Sequence, residues 1–557
     1  YILNRYLSIQ NKRRKYGVRK EQQMASRTRR FFLNALSLTA TALFMRGVGV
    51  AFNIYVSNRA GAEAMGLFSL LSGVYGLFIT IAAAGINLGS TRLVAEALGK
   101  NDTDVALRAM KRALLYCAVT SLCAFVLLFT FANFIGNVLL GDSRTVSSLR
   151  ILALTLPPIA ICSCLSGYFN AVRRVKISSA SQIFIQGVKI FATGALLYLL
   201  LPNGTESACI ALVLGGAVAE FVSLLVTAAL YIHDKRRHFK NRQIEKNPDI
   251  SNKDITKKLI NITLPVTLSA CIRSGLTTIQ HILIPRGLKA NGASWQSALA
   301  SYGILHSMVL PVILFPSAFI SSFSGLLIPE VTECVTCKNY QRLRRIAYRI
   351  LTLSLIFAVG ISGIMIFLSY DIGQVIYDSD EASLYIKILA PLIPIMYIDS
   401  AVDAILKGAG HQVYSMNVNI ADALISCILV ILLVPRLGLY GYIISIYATE
   451  ILNTSLSLWK MLSVTGMRPR IFHQVVMPII CIVGATVVSN IIFRHVVHIF
   501  NGTAELILNI ATVVIIYILL LTATKTIGKD EREVFRASFL TTQSYRRKYI
   551  DHTSKNI

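Results

Sequence analysis

The chain has 557 residues, of which 54% are hydrophobic and only 15% are charged, and its mean hydropathy is +0.61. Soluble domains carry about 25% charged residues, so this composition excludes an ordinary soluble enzyme, a disordered protein and a small disulfide scaffold. The formal net charge of +28 has to be explained by where the basic residues lie, because membrane proteins and nucleic-acid-binding proteins distribute them differently.

In chain order, the apolar segments are long enough to cross a bilayer many times. A transmembrane helix needs about 20 mostly apolar residues, and the sequence contains fourteen such segments. They run over residues 32–56, 66–90, 112–135, 149–171, 179–201, 208–232, 258–283, 298–327, 346–369, 384–406, 415–434, 438–461, 473–496 and 504–524. We therefore predict an all-α membrane protein with 14 transmembrane helices.

Basic residues are concentrated at both ends of the chain and in alternate loops. Residues 1–30, the loops after the fourth, sixth and eighth segments, and the C-terminal tail are rich in lysine and arginine, whereas Asp371, Asp378 and Asp380 lie in a loop on the opposite side. This positive-inside pattern predicts that both termini are cytoplasmic. Nucleic acid is not expected as a partner, because the charge is spread over many short loops that face one side.

Two parts of the chain repeat each other at an offset of 237 residues. The matched pairs are Gly66 and Gly303, Glu96 and Glu333, and Pro157 and Pro394. Each copy contains six helices, so the copies share one topology, as in two-lobed transporters that alternate access around a central site. The predicted regions are a basic cytoplasmic segment (1–31), an N-lobe (32–232), a cytoplasmic linker (233–257), a C-lobe (258–461), two additional helices (473–524) and a charged cytoplasmic tail (525–557).

Three basic residues lie inside apolar segments, where each costs roughly 2.5–3.5 kcal/mol near a helix centre. They are Arg46, Arg273 and Lys189. Each lies on a polar helix face, and the other members of these faces are Asn53, Thr277, Gln280, Gln182 and Gln186. We predict that the faces line a central polar chamber. Arginine there favours an anionic cargo, because its planar fork suits phosphate or carboxylate. In a structural alternative, the basic groups pair with Glu220, Glu450, Asp399 or Asp403, or extend to the membrane surface.

Two acidic residues in the tenth segment, Asp399 and Asp403, lie one helical turn apart. Such a pair could bind a proton or Na⁺, although a structural role for both is an alternative. No cofactor and no metal are expected: Cys334 and Cys337 have no second pair of ligands to complete a zinc site. The sequence also lacks the common catalytic motifs, so we do not expect an enzyme.

Several local strings together resemble one transporter family. They are the string from Gly85 to Glu96, the string from Gly167 to Ala171, the string from Tyr397 to Gly410, and the string from Leu437 to Tyr442. They resemble the stage V sporulation protein B branch, the polysaccharide biosynthesis or oligosaccharide flippase family, of the multidrug/oligosaccharidyl-lipid/polysaccharide exporter superfamily. The resemblance covers about residues 32–525.

This resemblance implies a flippase that moves a lipid-linked sugar, carried on undecaprenyl pyrophosphate, from the inner to the outer leaflet. In such transporters an arginine-bearing chamber holds the headgroup, and the last two helices can shape a groove for the lipid tail. Arg46 matches a first-helix arginine of the lipid II flippases, which have a second arginine six residues later, where Phe52 stands here. Our own inference is that Arg273 restores the missing charge.

The resemblance leaves two alternatives to a flippase of oligosaccharide or peptidoglycan precursors. One is a cation-coupled multidrug exporter of the same superfamily, and the other is a non-transporting membrane scaffold for envelope or spore cortex assembly. The expected partners are a lipid-linked glycan (such as lipid II), membrane lipids and cell-wall synthesis proteins. The expected location is the bacterial cytoplasmic membrane, with coupling to the membrane potential, Na⁺ or H⁺.

Overall fold

The structure of the chain is a computed structural model that describes residues 2–100, 102–172, 174–200, 202, 204–239, 251–470, 472–496, 502–524 and 526. Over these residues it is helical and contains no strand, which confirms the predicted all-α class. The helices are α1 (Ile2–Ala83), α2 (Ile86–Gly99), α3 (Thr103–Phe134), α4 (Thr145–Ala171), α5 (Val175–Leu200), α6 (Thr205–Phe239), α7 (Asn252–Ala290), α8 (Trp295–Gly303), α9 (Leu310–Leu314), α10 (Ser317–Thr336), α11 (Tyr340–Phe367), α12 (Ser369–Tyr377), α13 (Asp380–Leu389), α14 (Ile393–Gly408), α15 (Gln412–Leu437), α16 (Leu439–Thr465), α17 (Met477–Val496) and α18 (Thr503–Ala523). Short π-helical segments cover Ile135–Leu140, Ile304–Val309 and Phe472–Val476.

Twelve helical segments of the described chain are long and apolar enough to cross a membrane. The first of them, Leu43–Gly99, has 57 residues and would be about 86 Å long at 1.5 Å per residue, far more than one crossing requires. It contains a kink at Gly61, whose φ of 81° separates two predicted helices. Helix α16 is not among the twelve, because Glu450 and several Ser, Thr and Asn residues reduce its hydropathy. The count of twelve is close to the predicted 14 transmembrane helices, but it does not confirm that number.

The helices form two compact units, of which the first contains residues 1–56 and 67–278. In this unit α4 packs against α2, α3 and α6, and α5 packs against α6. The first part of α7 lies along the second half of α1: the Thr278 hydroxyl donates to the Gly73 carbonyl at 2.8 Å, and the Thr267 hydroxyl donates to the Ala84 carbonyl at 2.7 Å. Gly89 allows the close approach, since a Cβ there would lie 2.5 Å from Thr263.

The second unit contains residues 57–66 and 279–557. In it α14 packs against α10, α11 and α16, and α15 packs against α16. The additional helices α17 and α18 pack against each other and against α11, where the Tyr517 hydroxyl donates to the Ile356 carbonyl at 2.9 Å. The short α1 segment of this unit is held by Ser307, whose hydroxyl donates to the Met65 carbonyl at 3.2 Å.

The contact-based units differ from the predicted lobes at two places. Residues 57–66, which join the first two predicted helices, belong to the second unit, and α7 up to Thr278 belongs to the first unit. The predicted division at the repeat stays a prediction. Its linker is partly helical, since α6 extends to Phe239 and α7 begins at Asn252, while residues 240–250 lie outside the described residues. Most of the predicted tail also lies outside them.

Candidate functional site

Both predicted chamber arginines belong to the first unit. Arg46 lies in α1 and Arg273 lies in α7, and both side chains are exposed on the protein. From Leu259 to Ile272, α7 carries no other charged residue, so the Arg273 guanidinium is the first charge after a long apolar stretch. The sequence repeat predicted one arginine from each half, whereas the contacts place the α7 arginine with the first unit.

The polar face of α5 lies next to α1 in this unit. A Cβ built on Gly49 would lie 4.0 Å from Gln186 Nε2, so the two helices approach each other within one turn of Arg46. Gln182 and Lys189 are exposed and Gln186 is partly buried. The structure thus brings α1, which also carries Asn53, beside the predicted α5 face.

Lys189 has an acidic neighbour on the adjacent helix. Its ammonium interacts electrostatically with the Glu220 carboxylate of α6, and α5 and α6 pack along their length. This is the structural alternative that the sequence left open for Lys189. Pairing reduces the cost of a basic group inside the bilayer, so Lys189 contributes less to an argument for substrate binding than the two arginines.

The predicted face of α7 is divided between two environments. The Thr277 hydroxyl donates to the Arg273 carbonyl of its own helix at 3.0 Å. Gln280, three residues later, belongs to the second unit and donates from Nε2 to the Ser426 hydroxyl of α15 at 2.8 Å. Arg273 and Thr277 therefore remain with the first unit, while Gln280 fixes α7 to α15.

The predicted ion-coupling pair has two different environments in the second unit. Asp403 forms an ion pair with Lys407, one turn later in α14, and accepts a hydrogen bond from the Ser415 hydroxyl. Asp399 is hydrogen-bonded by Ser457 of α16. Asp403 is thus neutralised by a basic neighbour on its own helix, which favours a structural role for it.

Asp399 belongs to a cluster of three acidic residues that the sequence did not place together. It interacts electrostatically with Asp403 and Lys407 of its own helix and with Asp422 of α15, and Glu450 of α16 interacts with Asp399 and Asp422. All three side chains are partly buried on helices α14, α15 and α16. The sequence alone does not bring the three together, because residues on three helices show no common spacing. Acidic groups in such a place are suited to hold a proton or a small cation.

A second polar cluster of this unit was missed entirely. The Tyr302 hydroxyl lies 2.7 Å from His281 Nδ1, and the His281 ring packs edge-to-face on His306 with centroids 4.6 Å apart. His306 lies in the π-helical segment Ile304–Val309. The spacing of four residues between Tyr302 and His306 was the available signal, but nothing in the sequence joined it to His281 of α7.

No group of three or more metal-ligating side chains occurs among the described residues. Cys334 is buried and Cys337 is exposed, so the two thiols of the discounted motif lie in different environments.

Comparison with protein families gives two matches. The family described as polysaccharide biosynthesis protein matches residues 31–334, and a family described as MatE matches residues 294–432. The first match spans more than half of the chain. Both families were expected from the resemblance to the exporter superfamily, which is thereby confirmed.

Two curated relatives come from Bacillus subtilis (strain 168). Stage V sporulation protein B is 26% identical over 515 residues, covering 91% of this chain and 98% of the relative. The lipid II flippase MurJ is 24% identical over 352 residues, covering 58% of this chain and 62% of the relative.

Two solved structures share the fold of the chain. An inward closed conformation of the lipid II flippase MurJ has a TM-score of 0.64 at 13% identity, covering 90% of this chain and all (100%) of that chain. An inward-facing multidrug resistance MATE family transporter has a TM-score of 0.57 at 16% identity, covering 77% of this chain and 98% of that chain. At these identities the likeness establishes the fold alone.

Proposed function

Because this chain belongs to the polysaccharide biosynthesis protein family, we propose that it is a membrane flippase for a lipid-linked oligosaccharide or a peptidoglycan precursor. It is a multi-pass membrane protein with a transporter fold. The named activities among its relatives are those of a flippase and a transporter, so the chain is not an enzyme. The cargo moves to the outer leaflet by alternating access.

The observation that carries this proposal is the pair of exposed arginines inside apolar helices. Arg46 and Arg273 belong to one unit, and neither side chain is buried in the protein. Facing lipid would cost each of them several kcal/mol, so both are expected to line a water-filled cavity. A cavity with two guanidinium groups favours an anionic cargo, and the pyrophosphate of a polyprenyl-linked sugar supplies oxygens for two bidentate contacts.

The identity of the cargo is supported by the relatives rather than by the chamber itself. Stage V sporulation protein B covers nearly the whole chain, and the lipid II flippase covers more than half of it. Two arginines recognise a pyrophosphate whichever sugar it carries. We therefore propose the lipid pyrophosphate as the common element, with lipid II as one member of the class and with cell-wall synthesis proteins as partners at the bacterial cytoplasmic membrane.

The ion-coupling function is proposed for the acidic cluster of the second unit. Asp399, Asp422 and Glu450 interact electrostatically with one another on three helices, whereas Asp403 forms a direct ion pair with Lys407. Uptake of a proton or Na⁺ by the cluster reduces the mutual repulsion of its carboxylates. The bound cation carries a charge on which the membrane potential can act.

A multidrug exporter is the second candidate, because the MatE match covers residues 294–432 and a MATE transporter shares the fold. The two candidates differ in the charge of the cargo. An exporter of cationic drugs requires acidic groups at its binding site, whereas the first unit presents Arg46 and Arg273. A non-transporting scaffold would need neither.

The test is reconstitution of the purified protein in liposomes with a labelled polyprenyl-pyrophosphate-linked sugar, scoring transfer between leaflets. Arg46→Ala and Arg273→Ala are expected to lower the transfer rate by about 10- to 100-fold each, since a charge-assisted hydrogen bond contributes about 1.5–3 kcal/mol. Arg345→Ala is the matched control, because Arg345 is an exposed arginine at the polar start of α11.

Arg46→Lys and Arg273→Lys separate charge from geometry, since lysine retains the charge but loses the bidentate fork. Full transfer by the double alanine variant would refute the proposal. Equal transfer of a cationic dye and of the lipid by the wild-type protein would favour the multidrug exporter. Insertion of every variant is checked by its monodisperse elution in detergent.

A further inference from the structure

A groove in the first unit lies between α3 and the start of α7. Its volume is about 440 Å³, and its polar lining consists of Arg112 from α3 and Asn252, Lys253, Thr256, Lys257 and Asn261 from α7. Lys253, Lys257 and Asn261 are spaced four residues apart, so they share one face of α7. Two helices thus place three basic residues and an amide around one concave surface.

Among the described residues no carboxylate lines this groove, and two acidic residues of α2 and α3 form ion pairs. Glu96 lies 3.1 Å from Lys100 and 3.7 Å from Lys258, and Asp104 forms an ion pair with Arg108 at 2.7 Å. The Thr256 hydroxyl donates within its own helix, to the Asn252 carbonyl. Asp254 lies beside Lys253 in the first turn of α7 but is not part of the lining. The lining itself therefore carries three basic side chains and a net positive charge.

The depth of the groove along both helices matches the headgroup level of a bilayer. Helix α3 has no charged residue from Ala113 to its end, and α7 has none from Leu259 to Ile272. The groove lies where both helices change from charged to apolar. Its remaining wall is Ile260, an apolar side chain with 37% of its surface exposed. A small ion in water gains nothing from contact with an apolar side chain. A lipid bound by its headgroup can pack its glycerol and first methylenes against Ile260.

We propose that this groove binds the phosphate of an anionic membrane phospholipid. Arg112, Lys253 and Lys257 surround the phosphate, the Asn261 amide donates a hydrogen bond, and the acyl chains extend along Ile260 into the bilayer. Basic pockets between transmembrane helices are known to hold lipid phosphates in this way. The site is separate from the transported cargo and does not depend on the proposed flippase activity.

Native mass spectrometry of the detergent-solubilised full chain, titrated with phosphatidylglycerol, tests the proposal. We expect one tightly retained phosphatidylglycerol per protein and no comparable retention of phosphatidylcholine. The triple variant Arg112→Ala, Lys253→Ala and Lys257→Ala is expected to bind about 100-fold more weakly, at roughly a factor of five per basic residue near a lipid phosphate.

The matched control removes three other exposed basic residues, with Lys111→Ala, Lys338→Ala and Arg345→Ala. It loses the same net charge and is expected to retain the lipid. A second variant, Arg112→Lys with Lys253→Arg and Lys257→Arg, preserves the charge of the groove and is expected to bind normally. Loss of the lipid from this variant would count against the proposal even if the alanine variant failed to fold.

Three results would overturn the proposal. An equal loss in the control would mean that only net charge matters. Displacement of the lipid by an excess of inorganic phosphate of about 10-fold would identify a site for free phosphate. Retention of phosphatidylglycerol by the alanine variant would place the lipid elsewhere. Leaflet transfer of the cargo is a separate measurement, so its failure leaves this result unchanged.

Discussion

A close backbone approach in the second unit joins two glycines that the sequence repeat makes equivalent, Gly66 and Gly303. A Cβ on Gly66 would lie 2.0 Å from the Leu299 carbonyl oxygen, and one on Gly303 would lie 2.2 Å from the Ala62 carbonyl oxygen and 2.6 Å from Gly66 N. All three distances are far inside the 3.4 Å at which ordinary van der Waals contact begins. Small residues at such a crossing allow membrane helices to pack closely.

Replacing either glycine by alanine is predicted to destabilise the protein. The clashing atoms belong to the backbone, so no rotamer change can relieve them and the two helices must separate. Overpacking of this kind costs about 1–3 kcal/mol per site. The double variant is expected to cost less than the sum, because separation of the helices for one methyl group also accommodates the other.

The measurement is thermal unfolding of the detergent-solubilised protein, followed by intrinsic fluorescence. Gly76→Ala and Gly275→Ala are the controls, since a Cβ at Gly76 of α1 or at Gly275 of α7 meets nothing within 4 Å. At those positions alanine is expected to be neutral or to stabilise the helix, by up to about 1 kcal/mol. Unchanged unfolding of Gly66→Ala and Gly303→Ala relative to these controls would refute the packing argument.

Two further predictions concern buried polar groups. Tyr168→Phe removes a hydroxyl that donates to the Asp234 carboxylate at 2.9 Å and is expected to lower the free energy of unfolding by about 1–3 kcal/mol. Tyr370→Phe, at a side chain that is 64% exposed, should leave thermal unfolding unchanged, and equal effects of the two would contradict this reasoning. Asp399→Asn is expected to abolish the dependence of leaflet transfer on an imposed Na⁺ or proton gradient, whereas Asp403→Asn should preserve it. Liposome transfer assays with and without the gradient decide between these outcomes, and retained coupling in the first variant would count against the acidic cluster.

The class of fold was readable from the sequence because burial in a bilayer requires long apolar segments. The predicted spans correspond to helices of the structure, and the exporter resemblance is confirmed by the family match over residues 31–334. The number of spans was less certain from composition alone. The first two predicted helices run on from each other with only a kink at Gly61 between them, and α16 is polar enough to resemble a helix outside the membrane.

Partners within one helical turn could also be inferred from the sequence, but partners on other helices could not. The pairing of Asp403 with Lys407 follows from a spacing of four residues. The bond from Gln280 to Ser426 spans 146 positions, and no periodicity of α7 indicates it. The lipid groove was missed for the same reason, since Arg112 lies far along the chain from the α7 residues that complete it.

The exchange of short stretches between the two units determines how the chain can be divided. Residues 57–66 are synthesised early but belong to the later unit. Residues 252–278 include the end of the predicted linker and the first part of α7, and they belong to the earlier unit. If the gene were cut between the two repeats, each product would lack a segment that packs within its own unit. Neither half therefore contains all the residues of its own unit, and the first unit becomes complete during synthesis only after the first part of α7 has emerged from the ribosome.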